Sequence, residues 1–344
     1  MTNFEREISE QPDVLQGLVK HSTVPEVAAQ LRERAPHTIV TLARGSSDNA
    51  VTFFSYLAAQ TLGLPVASLP PSLVTVYGAT MKAQDTLTIG VSQSGESSDV
   101  VGGLKALEAA GAVTVAISND PASSLMQAAD YRLEQNAGAE RAVAASKTFS
   151  SQMMLLSLLV AHWSENAELL AALAAVPGAM REVLAGSQDA LHRAALRFTH
   201  APSIYVLGRG LSYGPALETA LKLKETCYLH AEAYSSAEFQ HGPIAAISPS
   251  HPVLMLALND ETETSNHEAA AKLRAASADL SVFSSNALLM SDANAAVTLP
   301  PNLHPVTQAF VMILAGQLLA LHLATAKGLN PDAPRNLNKV TQTM

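Results

Sequence analysis

The sequence predicts an α/β protein made of two tandem domains, each a parallel sheet with helices on both faces. Three observations predict it. Short β-branched apolar runs alternate with amphipathic segments. The same order of runs occurs twice. The offset between the two copies stays nearly constant along the chain.

Thr38–Leu42, Leu87–Val91 and Val113–Ile117 read as buried parallel strands, each followed by a small-residue turn and a helical pattern. Ile204–Leu207, Pro252–Leu258 and Leu280–Phe283 repeat the series. Leu42-Ala43-Arg44-Gly45-Ser46-Ser47 aligns with Leu207-Gly208-Arg209-Gly210-Leu211-Ser212, Val91 with Leu258 and Val115 with Val282, an offset of 165 to 167 residues. A three-layer sandwich of flavodoxin-like or Rossmann-like type is expected for each copy. The expected organisation is a helical segment over 1–35, a first domain over 36–165, a helical linker over 166–199, a second domain over 200–328 and a tail over 329–344.

Composition bounds the function. The chain has 344 residues, 48% hydrophobic and 15% charged, with a net charge of −9. A large core follows, and the absence of any long basic run argues against nucleic acid as a partner. The polar stretch Met1–Glu10 lacks the apolar centre of a signal peptide. Val306–Ala326 carries Gln308, Gln317 and His322 and reads as a buried helix rather than a membrane span. A soluble cytoplasmic protein is expected. The single cysteine, Cys227, precludes an intrachain disulfide and reads as a small buried hydrophobe. Eleven scattered histidines without ligand spacing argue against a protein-bound metal, and no cofactor is expected.

Ser92-Gln93-Ser94-Gly95-Glu96-Ser97-Ser98 follows a strand and opens the helical pattern Asp99–Ala110. A glycine turn leading into a helix N-terminus presents backbone N–H groups to an anion. A serine-rich turn with an N-cap is the plainer reading. The duplicate decides between them. Its matching loop, Asn259-Asp260-Glu261-Thr262-Glu263-Thr264, has no glycine and three carboxylates. A structural need would act on both copies, so one phosphate loop per chain is expected, with Gly45, Ser46 and Ser47 as a second wall.

Glu218, Lys222 and Glu225 share one helical face. A solvated ion-pair stripe is the ordinary reading of such spacing. Here the helix follows a strand end and is succeeded by His230-Ala231-Glu232 and His241-Gly242-Pro243. Acid–base and amine groups at this density fit aldose–ketose chemistry, which needs a proton-carrying carboxylate, a ring-opening acid/base and a cation or amine at the carbonyl.

Ser92-Gln93-Ser94-Gly95-Glu96, Ala144-Ala145-Ser146-Lys147, Leu221-Lys222-Leu223-Lys224-Glu225, His230-Ala231-Glu232-Ala233-Tyr234, His241-Gly242-Pro243 and Pro334-Arg335-Asn336-Leu337 stand in this order. Together they resemble the sugar-isomerase (SIS) half of glucosamine-6-phosphate synthase. The resemblance implies that Ser47, Ser92, Gln93, Ser94 and Ser97 hold a sugar phosphate, with the Val143 backbone near its hydroxyls. Ala144, Glu218 and Asn338 are counted with the substrate contacts. It implies Glu225 as proton shuttle, His241 as ring-opening residue donated by the partner of a homodimer, Lys339 as Schiff-base lysine and Lys222 beside the substrate. The synthase begins with a glutaminase domain for which this sequence shows no room. Gly45-Ser46-Ser47-Asp48, Ser235-Ser236-Ala237-Glu238-Phe239 and the ending after Lys339 look more like stand-alone SIS-type glucosamine-6-phosphate deaminases. Deamination of glucosamine 6-phosphate is therefore expected. Reversal toward the amino sugar, another amino-sugar phosphate or glycated amine, and a non-catalytic sugar-phosphate sensor are the alternatives.

Overall fold

A computed structural model describes residues 1–291, 293–337 and 339. The first copy of the repeat holds strands β1 (Thr38–Leu42), β2 (Val66–Ser68), β3 (Thr86–Val91), β4 (Val113–Ser118) and β5 (Tyr131–Glu134). Its helices are α1 (Asn3–Leu18), α2 (Thr23–Arg34), α3 (Ser46–Leu62), α4 (Ser72–Thr75), α5 (Ser98–Ala109), α6 (Ser124–Gln127) and α7 (Lys147–Trp163). Helices α8 (Ala167–Gly186) and α9 (Gln188–Arg197) follow. The second copy runs β6 (Ser203–Gly208), α10 (Tyr213–Cys227), β7 (His230–Ser235), α11 (Ser236–Phe239), β8 (Pro252–Leu256), α12 (Glu263–Ala275), β9 (Asp279–Ser284), α13 (Ala287–Ser291), β10 (Ala295–Thr298) and α14 (Pro305–Ala326).

The sheets have orders β2-β1-β3-β4-β5 and β10-β9-β8-β6-β7, parallel throughout. Read in chain order, both are the same doubly wound arrangement. Matched strands start 164 to 166 residues apart in all five pairs, so the duplication covers whole domains. In each sheet the order reverses between the first and third strands of the copy, and ligands bind outside the strand ends at such a switch point. That point lies between β1 and β3 in one sheet and between β6 and β8 in the other.

The central strands are buried almost continuously, as strands covered on both faces must be. The sequence reading left out all four edge strands: β2, β5 and β10, most of whose residues are exposed or half-buried, and β7, which carries His230 and Glu232. An edge strand hydrogen-bonds on one side only, so it needs no unbroken apolar run. The run expected to extend β8 to Leu258 leaves the strand at Leu256, and Ala257 and Leu258 continue buried in the loop.

The chain divides into two compact units, Met1–Pro12 with Arg141–Ser146 and Ala175–Leu337, and Asp13–Glu140 with Lys147–Ala174 and Lys339. The first packs Leu207, Met255, Leu273 and Val282 in its core; the second packs Leu42, Leu104, Ala116 and Leu125. Helices α8 and α14 are long and apolar enough to cross a membrane, and 83% of the most apolar stretch of α14 is buried inside the protein. Gly316 of α14 faces Thr219 of α10 so closely that a Cβ there would stand 2.1 Å from the threonine hydroxyl. The absent side chain brings the two helices together and shuts one face of α10 away from water. Cys227, at the end of α10, is buried with its Sγ 3.2 Å from the Ala320 carbonyl. Burial pushes this thiol up to about 11, which keeps it protonated and unreactive at neutral pH.

Candidate active site

The first switch point is built from the loops after β1 and β3. Gly95 takes φ +67°, and a Cβ there would lie 2.1 Å from the Ser123 hydroxyl oxygen. Glycine meets both demands. The loop is pinned from several sides. Ser92 Oγ accepts from Gly95 N at 3.1 Å, Leu125 N donates to the Gly95 carbonyl at 2.9 Å, and Asn119 N donates to the Gln93 carbonyl at 3.0 Å. The Glu96 carboxylate accepts from Ser124 N and Ser124 Oγ, both at 2.8 Å. Glu96 therefore secures the start of α6. Among the described residues, the side chains of Ser47, Gln93 and Ser97 form no hydrogen bond. Ser97 precedes α5 without capping it. Neutral donors thus remain beside a twelve-residue helix whose first N–H groups carry partial positive charge.

The nearby acids are occupied. Buried Asp99 accepts from Arg44 Nε at 2.8 Å. Because Arg44 precedes Gly45 and Asp99 follows Ser98, this pair ties the two walls of the switch point together. Asp48 accepts from Ser68 Oγ at 3.3 Å. Burial raises its pKa, against the lowering effects of Ser68 and Arg44. The loop after β8 at the other switch point presents Asp260, Glu261 and Glu263 instead.

The second cluster lies on α10, which leaves the β6 end. Glu218 and Lys222 have no exposed side-chain surface, and Glu225 keeps 20%. Lys222 Nζ lies 3.3 Å from Glu218 Oε1 and forms a short ion pair with Glu225. Burial opposes the charge on Lys222, but the two carboxylates outweigh it and hold its pKa above the ordinary lysine range. The row is a buried chain of alternating charge ending in a partly open carboxylate, rather than a solvated stripe. Glu218 offers no surface to a ligand and reaches only inward.

His241 follows α11 on an exposed turn. Among the described residues its imidazole makes no hydrogen bond or ion pair. Val143 is partly exposed and Ala144 buried. Asn338 lies outside the described residues. Lys339 Nζ is 2.7 Å from Glu140 Oε2. Glu140 also accepts from Thr148 N at 3.1 Å and Thr148 Oγ1 at 2.7 Å. The sequence reading missed Glu140, although a carboxylate among small residues just before Ala144-Ala145-Ser146-Lys147 was a usable signal. It missed the Arg44–Asp99 tie for a different reason, since those residues stand 55 positions apart.

The doubly wound duplication with one serine-rich switch point defines a class of tandem-repeat α/β proteins. The SIS domain profile matches residues 34–162 and 197–327, and the chain belongs to the SIS domain family. It is 34% identical to the glutamine–fructose-6-phosphate aminotransferase (isomerizing) of Escherichia coli K12 over 98% of this chain and 58% of that protein. The same enzyme of Aeropyrum pernix is also 34% identical, over 97% of this chain and 56% of its own length. The chain thus spans a little over half the length of these relatives. Among solved structures, a Silicibacter pomeroyi protein assigned as a phosphosugar isomerase is 37% identical, with a TM-score of 0.84 over 96% of this chain and all of that one. The C-terminal domain of the Francisella tularensis glucosamine–fructose-6-phosphate aminotransferase is 26% identical, with a TM-score of 0.88 over 97% of this chain and 98% of that one. The glucosamine-6-phosphate deaminase of Thermotoga maritima, 21% identical, shares the fold with a TM-score of 0.77 over 99% of this chain and all of that one.

Proposed function

We propose that this chain binds a hexose 6-phosphate and moves a proton between its first two carbons, and that its reaction is the deamination of glucosamine 6-phosphate to fructose 6-phosphate and ammonia. One observation carries the reading. Glu225 holds the partly open end of a buried ion chain, paired with Lys222, so it is an oriented carboxylate placed to take and return a proton.

The steps follow from the residues. The Ser92–Ser98 loop, with Gly45, Ser46 and Ser47, holds the phosphate. His241 moves a proton from the anomeric hydroxyl to the ring oxygen and opens the ring. Glu225 takes the C2 proton and returns it at C1 while one amine proton passes to O1, which turns the C1 aldehyde with a C2 amine into a C1 alcohol with a C2 imine. Water adds at C2 and ammonia leaves. Lys339 attends the resulting ketone, with Glu140 as the acceptor for its ammonium proton. The exposed imidazole of His241 supports a homodimer in which it serves the partner's site, and the reading carries a cytoplasmic location. The motifs at Gly45–Asp48 and Ser235–Phe239 support deamination. The 34% identity to aminotransferases favours a second reading, in which ammonia or an amidotransferase partner drives the same site toward the amino sugar.

Ammonia and fructose 6-phosphate measured together after incubation with glucosamine 6-phosphate are the test. Equal yields are expected. Product only from fructose 6-phosphate plus ammonia would establish the second reading. Turnover confined to galactosamine 6-phosphate or a fructosamine 6-phosphate would move the substrate. Binding without turnover of any of them would leave a sensor. The phosphate loop has its own check. Gly95→Ala places a side chain at a positive φ and into Ser123, and is expected to weaken inorganic phosphate binding by about tenfold or more, read by calorimetry. An unchanged affinity would put the phosphate elsewhere.

A further inference from the structure

Helix α1 carries two fully buried polar side chains one turn apart, Glu7 and Gln11. Burying a carboxylate is costly unless it is hydrogen-bonded. Glu7 is aimed at a segment more than a hundred residues away in sequence. Its Oε1 accepts from Arg141 N at 2.5 Å and its Oε2 from Ala142 N at 3.2 Å. Gln11 Nε2 donates to Gln317 Oε1 of α14 at 2.7 Å, and Gln317 Nε2 reaches the Ser146 carbonyl at 3.5 Å. The segment 141–146 is thereby held at both ends. The partly exposed Val143 lies between the anchors. Helix α1 is itself held in place, because the Asp332 carboxylate accepts from Asn3 N at 2.7 Å and Phe4 N at 2.9 Å and so caps its N-terminus.

We infer that Glu7 is a positioning residue, whose buried carboxylate, with the Gln11–Gln317 amide pair, fixes the backbone at Val143 and Ala144 against which the hydroxyls of the sugar are read. The inference rests on the phosphosugar reading for its ligand. Its geometric core, the ordering of 141–144 by Glu7, does not. Backbone groups that read hydroxyl stereochemistry work only when rigidly placed. Two charge-assisted hydrogen bonds from one carboxylate place two successive peptide units at once. Helix α1 thus belongs to the binding framework and is more than a leader to the first domain.

Glu7→Gln keeps the shape but replaces one acceptor oxygen with an amide NH2 that cannot accept from a backbone N–H. The expected result is a KM for the sugar phosphate, and a calorimetric Kd, raised about tenfold, with kcat within about twofold and inorganic phosphate affinity unchanged. Hydrogen exchange at residues 141–146 is expected to accelerate, while residues 92–98 keep the wild-type rate. Glu7→Asp retains both acceptors and is expected to recover part of the affinity. Should Glu7→Gln fail to fold, Gln11→Met, which removes only the amide link, must show the same exchange change and a smaller KM shift. Unchanged exchange over 141–146 overturns the inference whatever the substrate is. So does equal loss of sugar-phosphate and inorganic phosphate affinity, which marks a general structural role. If wild-type protein binds no phosphosugar while exchange responds as expected, the functional reading fails and the positioning of 141–144 stands.

Discussion

Glutamine in place of Glu225 is expected to lower kcat by about 10²- to 10⁴-fold and leave KM within about threefold. The carboxamide has nearly the same volume but accepts no proton at working pH. The phosphate loop belongs to the other unit of the fold and is untouched. Lys222 keeps Glu218 as a counter-ion at 3.3 Å, so the variant is expected to fold and to bind. Steady-state kinetics with the sugar phosphate, paired with calorimetric binding, separates the outcomes. Near-normal kcat would assign the proton shuttle to another group. A rise in KM alone would make Glu225 a binding residue.

Methionine in place of Lys222 is expected to cost about 3–5 kcal/mol of stability and to abolish measurable turnover. Two carboxylates share this lysine, and Glu218 has no access to water. Removing the ammonium leaves an uncompensated buried charge, which is far worse than the loss of a surface ion pair. Glu218→Gln added to Lys222→Met neutralises that charge and is expected to restore much of the stability but none of the turnover. Differential scanning calorimetry on the three proteins decides. A single variant as stable as wild type would mean that the cluster is hydrated. The pH dependence of the intact cluster has a definite sign. The folded pKa of Lys222 lies above its unfolded value, so its stabilisation is fully present below the ordinary lysine range. It is lost only as pH rises through the folded value. Lys222 is therefore expected to set no limb of the activity profile between pH 5 and pH 9.

The duplication, the doubly wound class and the asymmetry between the two switch points were legible from residues alone. Local chemistry decides each of them. A strand buried on both faces must be apolar for several residues in a row, and Leu87–Val91 shows it. A turn at φ > 0 needs glycine, and Gly95 supplies it. The contrast between Ser92–Ser98, with its glycine and serines, and the carboxylate-bearing Asn259–Thr264 distinguishes the two loops without coordinates. The sequence by itself thus determined which of the two matched loops carries glycine and serines rather than carboxylates, and that Glu218, Lys222 and Glu225 share one helix.

Tertiary structure alone decided what those groups can do. The spacing of Glu218, Lys222 and Glu225 is that of any solvated helix face, and a helix repeats in the same way whether its face is wet or dry. Whether that face is dry is settled only by packing, and here Glu218 and Lys222 have no exposed side-chain surface. Arg141 lies 134 residues from Glu7, Lys339 lies 199 from Glu140 and Arg44 lies 55 from Asp99, beyond any local pattern. An ionisable side chain shows its surroundings only once the chain has packed, because desolvation and counter-ion distance are properties of the folded neighbourhood. Edge strands β2, β5, β7 and β10 escaped notice for the matching reason. Their identity as strands comes from the neighbour they hydrogen-bond to, rather than from the residues they contain.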